Sequence, residues 1–262
     1  MTSKPIVVGI DGSEAAIKAA EWATDEAINR NGPVRLIYVM KANHPSMEAY
    51  QLDLESAETA LRAAQSAVEA IGKPVKIETV IESGLPSVKL ISASVDADMV
   101  CVGSTGIGSY ARALLGSTVA DVAEKARCTT AVIRASDEQP RADINWVVVA
   151  LNDDPDNGAV ADFAMGEGAL RKAPVLAIGT ELQHLDHALE RRVEMLRRRN
   201  PDVHVYPVAT EEDIAGFLED NLERVQLVVI GGSDADEVAR IVGPHGHPVY
   251  RHAQSSVVVV RG

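Results

Sequence analysis

Short apolar runs separated by helix-patterned stretches recur along this chain in two successive sets of five, and that alternation constrains the fold more than any other feature. The first set is IVVGI (6–10), VRLIYVM (34–40), VKIETVI (75–81), MVCVG (99–103) and TAVIR (130–134). Most of these runs are apolar throughout, as expected of strands buried on both faces rather than on one. Between them lie helix-like segments at 14–29, 55–70, 86–95 and 118–127, the first with Ala16, Ala19, Ala20, Ala23 and Ala27 at helical spacing. Strand and helix in strict alternation predict an α/β fold, a parallel sheet covered on both sides by right-handed crossovers.

The second half repeats the plan. Strand-like runs recur at WVVVAL (146–151), PVLAIGT (174–180), VHVYPVA (203–209), LVVIGG (227–232) and SVVVVRG (256–262), with helix-like stretches at 159–172, 184–199 and 211–224. Landmarks shift by about 140 residues at the first strand and about 127 at the last, so the second copy is the shorter one. The polar stretch ASDEQPRAD (135–143) joins the copies. The expected domains are therefore residues 1–138 and 144–262, each a doubly wound five-stranded sheet.

Charge narrows the function. The net charge is -13, and both halves are acidic, with 13 basic against 18 acidic residues up to position 140 and 12 against 20 beyond it. Such a chain repels nucleic acid and anionic membranes, so neither is an expected partner, and a phosphate ligand must be held by local donors such as main-chain N–H groups. Arg191-Arg192 and Arg197-Arg198-Arg199 fall in a helix-like stretch and read as a solvated face. No apolar run is long enough to cross a membrane, and the start MTSKPIVVGID lacks a signal-peptide layout, so the cytoplasm is the expected compartment. The two cysteines, Cys101 and Cys128, read as buried thiols.

One segment has the composition of a phosphate site. GSTGIGSYARALLGST (103–118), rich in glycine and hydroxyl residues, follows the fourth strand and leads into a helix whose start is marked by Ser117 and Thr118, with Asp121 spaced as in a capping box. A helix N-terminus offers unpaired N–H groups and a positive dipole end, and glycines let main chain approach an anion. The P-loop pattern GxxxxGK[ST] is absent, which excludes a P-loop ATPase. Gly106 to Ala111 satisfies GxGxxA, but a dinucleotide fingerprint belongs after the first strand of its unit, with an acidic residue near the end of the next; here the next strand ends in Arg134.

A third spacing fits in full: Gly103, two residues, Gly106, nine residues, Gly116, then Ser117. In this the chain resembles the universal stress protein family, whose ATP-binding members carry G-x2-G-x9-G-[S/T]. IVVGIDGSEAA at the start, LIYVM in the second strand and GSTVADVAEKARCTTAVIR at the end of the first copy resemble that family too. The likeness is good over 4–134 and weak over 144–262, as in tandem actinobacterial members. It implies an adenine nucleotide alpha hydrolase-like fold with strand order 3-2-1-4-5 and a ligand at the break between strands 1 and 4. It also implies ATP with Mg²⁺: Asp11 beside the nucleotide, Val39 giving main-chain contacts to adenine, and Gly103, Gly106, Gly116, Ser117 and Thr118 along the phosphates. The function so implied is a nucleotide-dependent regulator of stress adaptation or growth arrest, with loop 104–116 differing between occupied and empty states and changing contacts with a regulatory protein partner. A homodimer is implied as well. The alternatives are a slow ATPase or nucleotidyl-transferring enzyme and a ligand-free scaffold. Against turnover, no nucleophile–base pair is evident, no catalytic residue is assigned, and only Arg112 stands near as a cation for the γ-phosphate.

The second copy lacks the phosphate chemistry. Its first strand ends in Ala150-Leu151-Asn152-Asp153-Asp154, so the aligned acid is Asn152, and its fourth strand is followed by Gly231-Gly232-Ser233-Asp234-Ala235-Asp236, which brings carboxylates where phosphates would lie. Gly243-Pro244-His245-Gly246-His247 is too short to replace the nine-residue arc. One nucleotide per chain is therefore expected. His245, His247 and His252 read as a loop rather than a metal site, as do His184 and His187 on a helix, and no carboxylate cluster forms a metal cage. Each copy closes on a strand, TAVIR or SVVVVR, that would be an exposed edge alone, so the two are expected to pair within the chain.

Overall fold

A computed structural model describes residues 3–105, 115–135, 145–180, 187–220, 225–243 and 255–261. Chain contacts divide it into two compact units, Met1–Ala135 and Ser136–Gly262.

The first unit runs β1 (Ile6–Ile10), α1 (Glu14–Asn29), β2 (Val34–Met40), α2 (Met47–Ala70), β3 (Ile77–Ser83), α3 (Pro86–Ala93), β4 (Met99–Gly103), α4 (Ser117–Lys125) and β5 (Thr129–Ile133). Its strands lie in the order β3-β2-β1-β4-β5, and all four neighbour pairs are parallel, with Ile6 opposite both Val34 and Met99. Every residue of β5 and all but the last of β4 are buried, as continuous apolar runs require. β3 instead alternates between half-buried and exposed residues, as a strand with a solvated face does. The second unit runs β6 (Trp146–Ala150), α5 (Asn157–Arg171), β7 (Val175–Thr180), α6 (Ala188–Arg199), β8 (Val205–Thr210), α7 (Ile214–Asp220), β9 (Val225–Gly231), α8 (Val238–Val242) and β10 (Ser256–Val260). Its order, β8-β7-β6-β9-β10, is that of the first unit, and its pairs are also parallel.

Three expectations of local structure need correction. β3 begins and ends two residues later than the run 75–81: it alternates half-buried Glu78, Val80 and Glu82 with exposed Thr79, Ile81 and Ser83, so no continuous apolar run marks its ends. α2 starts at Met47, eight residues before position 55: Ser46 caps it by accepting the Ala49 N–H at 3.1 Å, while Met47 and Leu52 stay exposed and blur the apolar stripe. The capping box at Ser117, Thr118 and Asp121 does not form. Gly116 is the N-cap, both hydroxyl residues lie inside the first turn, and Asp121 pairs with Lys125 one turn on. Arg191 and Arg197–Arg199 fall on α6 as expected, but Arg192 is half-buried and turned inward. Among the described residues no helix is long and apolar enough to cross a membrane. Cys101 is buried and Cys128 half-buried, both as thiols.

The functional end of the first unit is set by how closely α1 lies on the sheet. Ala15, Ala16, Ala19, Ala20, Ala23 and Ala27 form its buried stripe, and small side chains let the helix axis approach β4. At the end of β4 the approach is so close that a Cβ on Gly103 would lie 2.5 Å from the Ala15 carbonyl carbon and 2.6 Å from the Ala16 nitrogen. Backbone cannot give way there as a side chain can, so Gly103→Ala should shift the unfolding transition of the first unit to lower urea, by about 1–3 kcal/mol. A denaturation curve followed by far-UV circular dichroism checks this.

Candidate functional site

Where β1 and β4 lie side by side, their following helices depart in opposite directions, and the carboxyl ends of the strands open on a crevice. A cavity of about 280 Å³ occupies it, near the lower end of the range for small-molecule clefts. Asp11, Tyr38, Val39, Gly103, Thr105 and Gly116 all line it, with Ser117 and Thr118 beside them. Six of the seven residues singled out from the sequence thus come together, although they are spread over more than a hundred positions; the seventh, Gly106, lies outside the described residues.

Each wall has a local cause. Gly12 adopts φ +86°, a left-handed turn that suits glycine, and bends the chain from β1 into α1. The Asp11 carboxylate accepts the Ser13 N–H at 2.9 Å, which holds its side chain at the mouth of the turn. Ser13 in turn caps α1 by accepting the Ala16 N–H at 3.2 Å.

Along β2 the main-chain polar groups alternate in direction. Val34 donates to Lys76 and Met40 accepts from Gly84 on the β3 side, whereas Pro33 accepts from Ile6 on the β1 side. Val39 therefore turns its main-chain groups toward β1, whose ladder ends at Ile10 opposite Tyr38. The Val39 carbonyl lies past that last rung, beside the cavity. Just beyond, the Lys41 N–H donates to Asp53 at 3.1 Å and His44 Nε2 meets the same carboxylate at 2.8 Å, so α2 pins the β2–α2 connection. The His44 bond holds the Asp53 carboxyl below its ordinary range, and the Tyr38 phenol is pushed up by burial and by the nearby Asp53 and Asp11 charges.

On the opposite side the cavity meets the N-terminus of α4. Among the described residues no side chain caps that end, in contrast to the Ser13 cap on α1. Gly116 has φ -60°, open to any residue, and among the described residues a Cβ there would meet nothing nearer than Val119 at 3.8 Å. Neither backbone conformation nor packing against the described residues demands glycine at this position; its effect there is to leave room beside the first N–H groups of the helix. Among the described residues, Asp11 is the one carboxylate that lines the cavity and no lysine or arginine does, so there these N–H groups and the Ser117 and Thr118 hydroxyls are the anion-attracting donors; Arg112 lies outside the described residues.

The corresponding crevice of the second unit holds different chemistry. Arg192, on α6, donates Nη1 to the Asn152 carbonyl at 2.6 Å and Nη2 to Asn157 Oδ1, and Asn157 Nδ2 donates to the Ala150 carbonyl at 3.0 Å. The main-chain acceptors at the end of β6 are thus taken up by the unit's own side chains. Across from them Ser233 donates to Asp154 at 2.6 Å, and the chain turns at once into a short 3-10 segment, Gly232–Glu237. Burial, then repulsion from Asp154, pushes the Asp234 carboxyl above its ordinary range. Of the histidines considered as ligands, His184, His245, His247 and His252 lie outside the described residues, and among the described residues no group of three or more His, Cys, Asp or Glu side chains could hold a metal ion.

Ser13, Tyr38 and Thr105 are cavity residues that sequence reasoning did not single out. Ser13 carried a visible signal in the dipeptide Gly12-Ser13, but as a helix start; Tyr38 and Thr105 carried none, because strand register decides what they face.

A model of the universal stress protein family matches residues 2–134. A universal stress protein of Mycobacterium tuberculosis (strain ATCC 25618 / H37Rv) is 56% identical over 264 residues, covering 99% of this chain and 97% of that protein. A second from the same strain is 35% identical over 265 residues, covering 97% and 95%. Among solved structures, a universal stress protein from Archaeoglobus fulgidus DSM 4304 superposes with a TM-score of 0.73 at 19% identity, covering 100% of this chain and 99% of that one.

Because the native Asp234 pKa is raised above that of the unfolded chain, its ionisation opposes folding at neutral pH, and the opposition fades as pH falls through the carboxylate range. Asp234→Asn should therefore raise the stability of the second unit at pH 7, and its advantage over the parent should shrink on acidification. Melting curves of both proteins between neutral pH and pH 4 measure the difference.

Proposed function

This chain belongs to the universal stress protein family, and from that premise we propose that its first unit binds one adenine nucleotide, ATP carried with Mg²⁺, as the signal for a regulatory role in stress adaptation or growth arrest. The observation that carries the reading is the N-terminus of α4, which opens without a side-chain cap at Gly116 onto the cavity that Asp11 and Val39 line from the other side.

The chemistry of the two ends matches the two ends of a nucleotide. The Val39 carbonyl, past the last rung of the ladder, is an acceptor for the exocyclic amine of adenine, and Ile37, Pro86 and Leu90 supply apolar surface for the ring. The helix terminus, with the hydroxyls of Ser117 and Thr118, suits the phosphates. Asp11 lies between and suits a ribose hydroxyl.

The donor set also fits Mg²⁺ of the phosphate-bound kind, which keeps most of its ligands as water and phosphate oxygens and needs one carboxylate or none from the protein. Asp11 and the nucleotide's own oxygens would hold it, and its contribution is to neutralise phosphate charge in a chain whose net charge is -13. Main-chain N–H groups, held in place by the helix, bind without transferring a proton. That favours a binder whose occupied and empty states offer different surfaces to a partner over an enzyme. The second unit, with Arg192 on its strand-end acceptors and the Asp154 and Asp234 carboxylates at its crevice, takes no nucleotide in this reading.

Calorimetric titration with ATP and Mg²⁺ should return one equivalent per chain. Asp11→Ala and Gly116→Val should each weaken binding about tenfold or more, on the scale of a lost charge-assisted contact or a filled subsite. Absence of heat with the parent protein, or two equivalent sites, overturns the reading.

A further inference from the structure

Ser13 caps α1, but its hydroxyl has a second partner that capping does not require. While its oxygen accepts the Ala16 N–H at 3.2 Å, its proton is donated to the main-chain carbonyl of Thr105 at 3.1 Å, across 92 positions of sequence. With its N–H on Asp11 at 2.9 Å, Ser13 bonds at once to the cavity's carboxylate, to α1 and to the chain leaving β4. Both Ser13 and Thr105 line the cavity.

The arrangement depends on the close approach at Gly103. Because that residue has no Cβ, the first turn of α1 lies directly on the end of β4, and only at that separation can the Ser13 side chain reach the Thr105 carbonyl. The bond also has an electrostatic effect. A carbonyl oxygen left open beside the phosphates would repel them; turned onto Ser13, its lone pair is engaged and its direction fixed. In the second unit the comparable tie is different in kind: Ser233, after β9, donates to the carboxylate of Asp154, which leaves negative charge at the crevice.

We propose that Ser13 is a positioning residue of the nucleotide site: by holding the Thr105 carbonyl against α1 it fixes the phosphate-facing wall, and so raises affinity for the phosphate chain without touching the base. This rests on the reading that an adenine nucleotide occupies the cavity with its phosphates toward α4.

The test separates the two roles of the hydroxyl. Ser13→Gly removes the donor and adds no charge, and glycine is an adequate N-cap, so the ligand-free protein should melt close to the parent. Ser13→Thr keeps acceptor and donor. Affinities for ATP with Mg²⁺ and for adenosine are measured on each by calorimetry. Ser13→Gly should weaken ATP about two- to tenfold, the range of one hydrogen bond, leave adenosine unchanged, and be rescued by Ser13→Thr. If Ser13→Gly weakens both ligands equally, or neither, Ser13 is only a helix cap and the proposal falls. If the parent binds no ATP, the reading of the cavity itself has failed, which is a different result from a parent that binds and a variant that binds as well.

Discussion

The contact on which the functional end of the first unit depends is backbone against backbone: the first turn of α1 on the last residue of β4, at a separation only glycine tolerates. An alanine-lined helix brings the two together, and Gly103 removes the last obstacle. From that contact follows the reach of Ser13 to Thr105, and with the turn at Gly12, which brings Asp11 to the crevice, it shapes the cavity at the carboxyl ends of β1 and β4. Gly103 and Gly116 belong to one spacing pattern yet serve opposite purposes. The first is glycine because the protein itself fills the space; the second, with an ordinary φ and room for a Cβ among the described residues, leaves space beside the helix end.

The two units show how the same strand order can diverge at one place. In each, the strand order reverses between the paired first and fourth strands, so each has a crevice beyond their carboxyl ends by topology alone. In the first, the described residues give the crevice an uncapped helix end and a single carboxylate. In the second, Arg192 and Asn157 occupy the strand-end acceptors, while burial first, and then the Asp154 charge, hinders ionisation of Asp234. Fold supplies the place and side chains decide its use.

Much of this was legible in the sequence because its signals are local or periodic. Near-continuous apolar runs marked the buried strands, and the misplacement of β3 arose where the pattern was alternating rather than continuous. The start of α2 was hidden by exposed Met47 and Leu52, and Arg192 passed for a solvated charge because its neighbours on α6 are solvated. In the cavity, Gly103, Gly116 and Ser117 were visible through motif spacing, Thr118 as a helix start, and Asp11 and Val39 through family resemblance, whereas Tyr38, Ser13 and Thr105 took their places through register and packing.

By itself the sequence determined the class of fold, the strand order through its family likeness, and which copy carries the phosphate-type spacing, since periodicity, turn residues and motif intervals are all written along the chain. Tertiary structure alone decided which main-chain groups face the crevice, why Gly103 and Gly116 are glycines for different reasons, and that Ser13 reaches Thr105. Those depend on distances between segments far apart in the chain, and such distances are fixed only when the helices settle on the sheet.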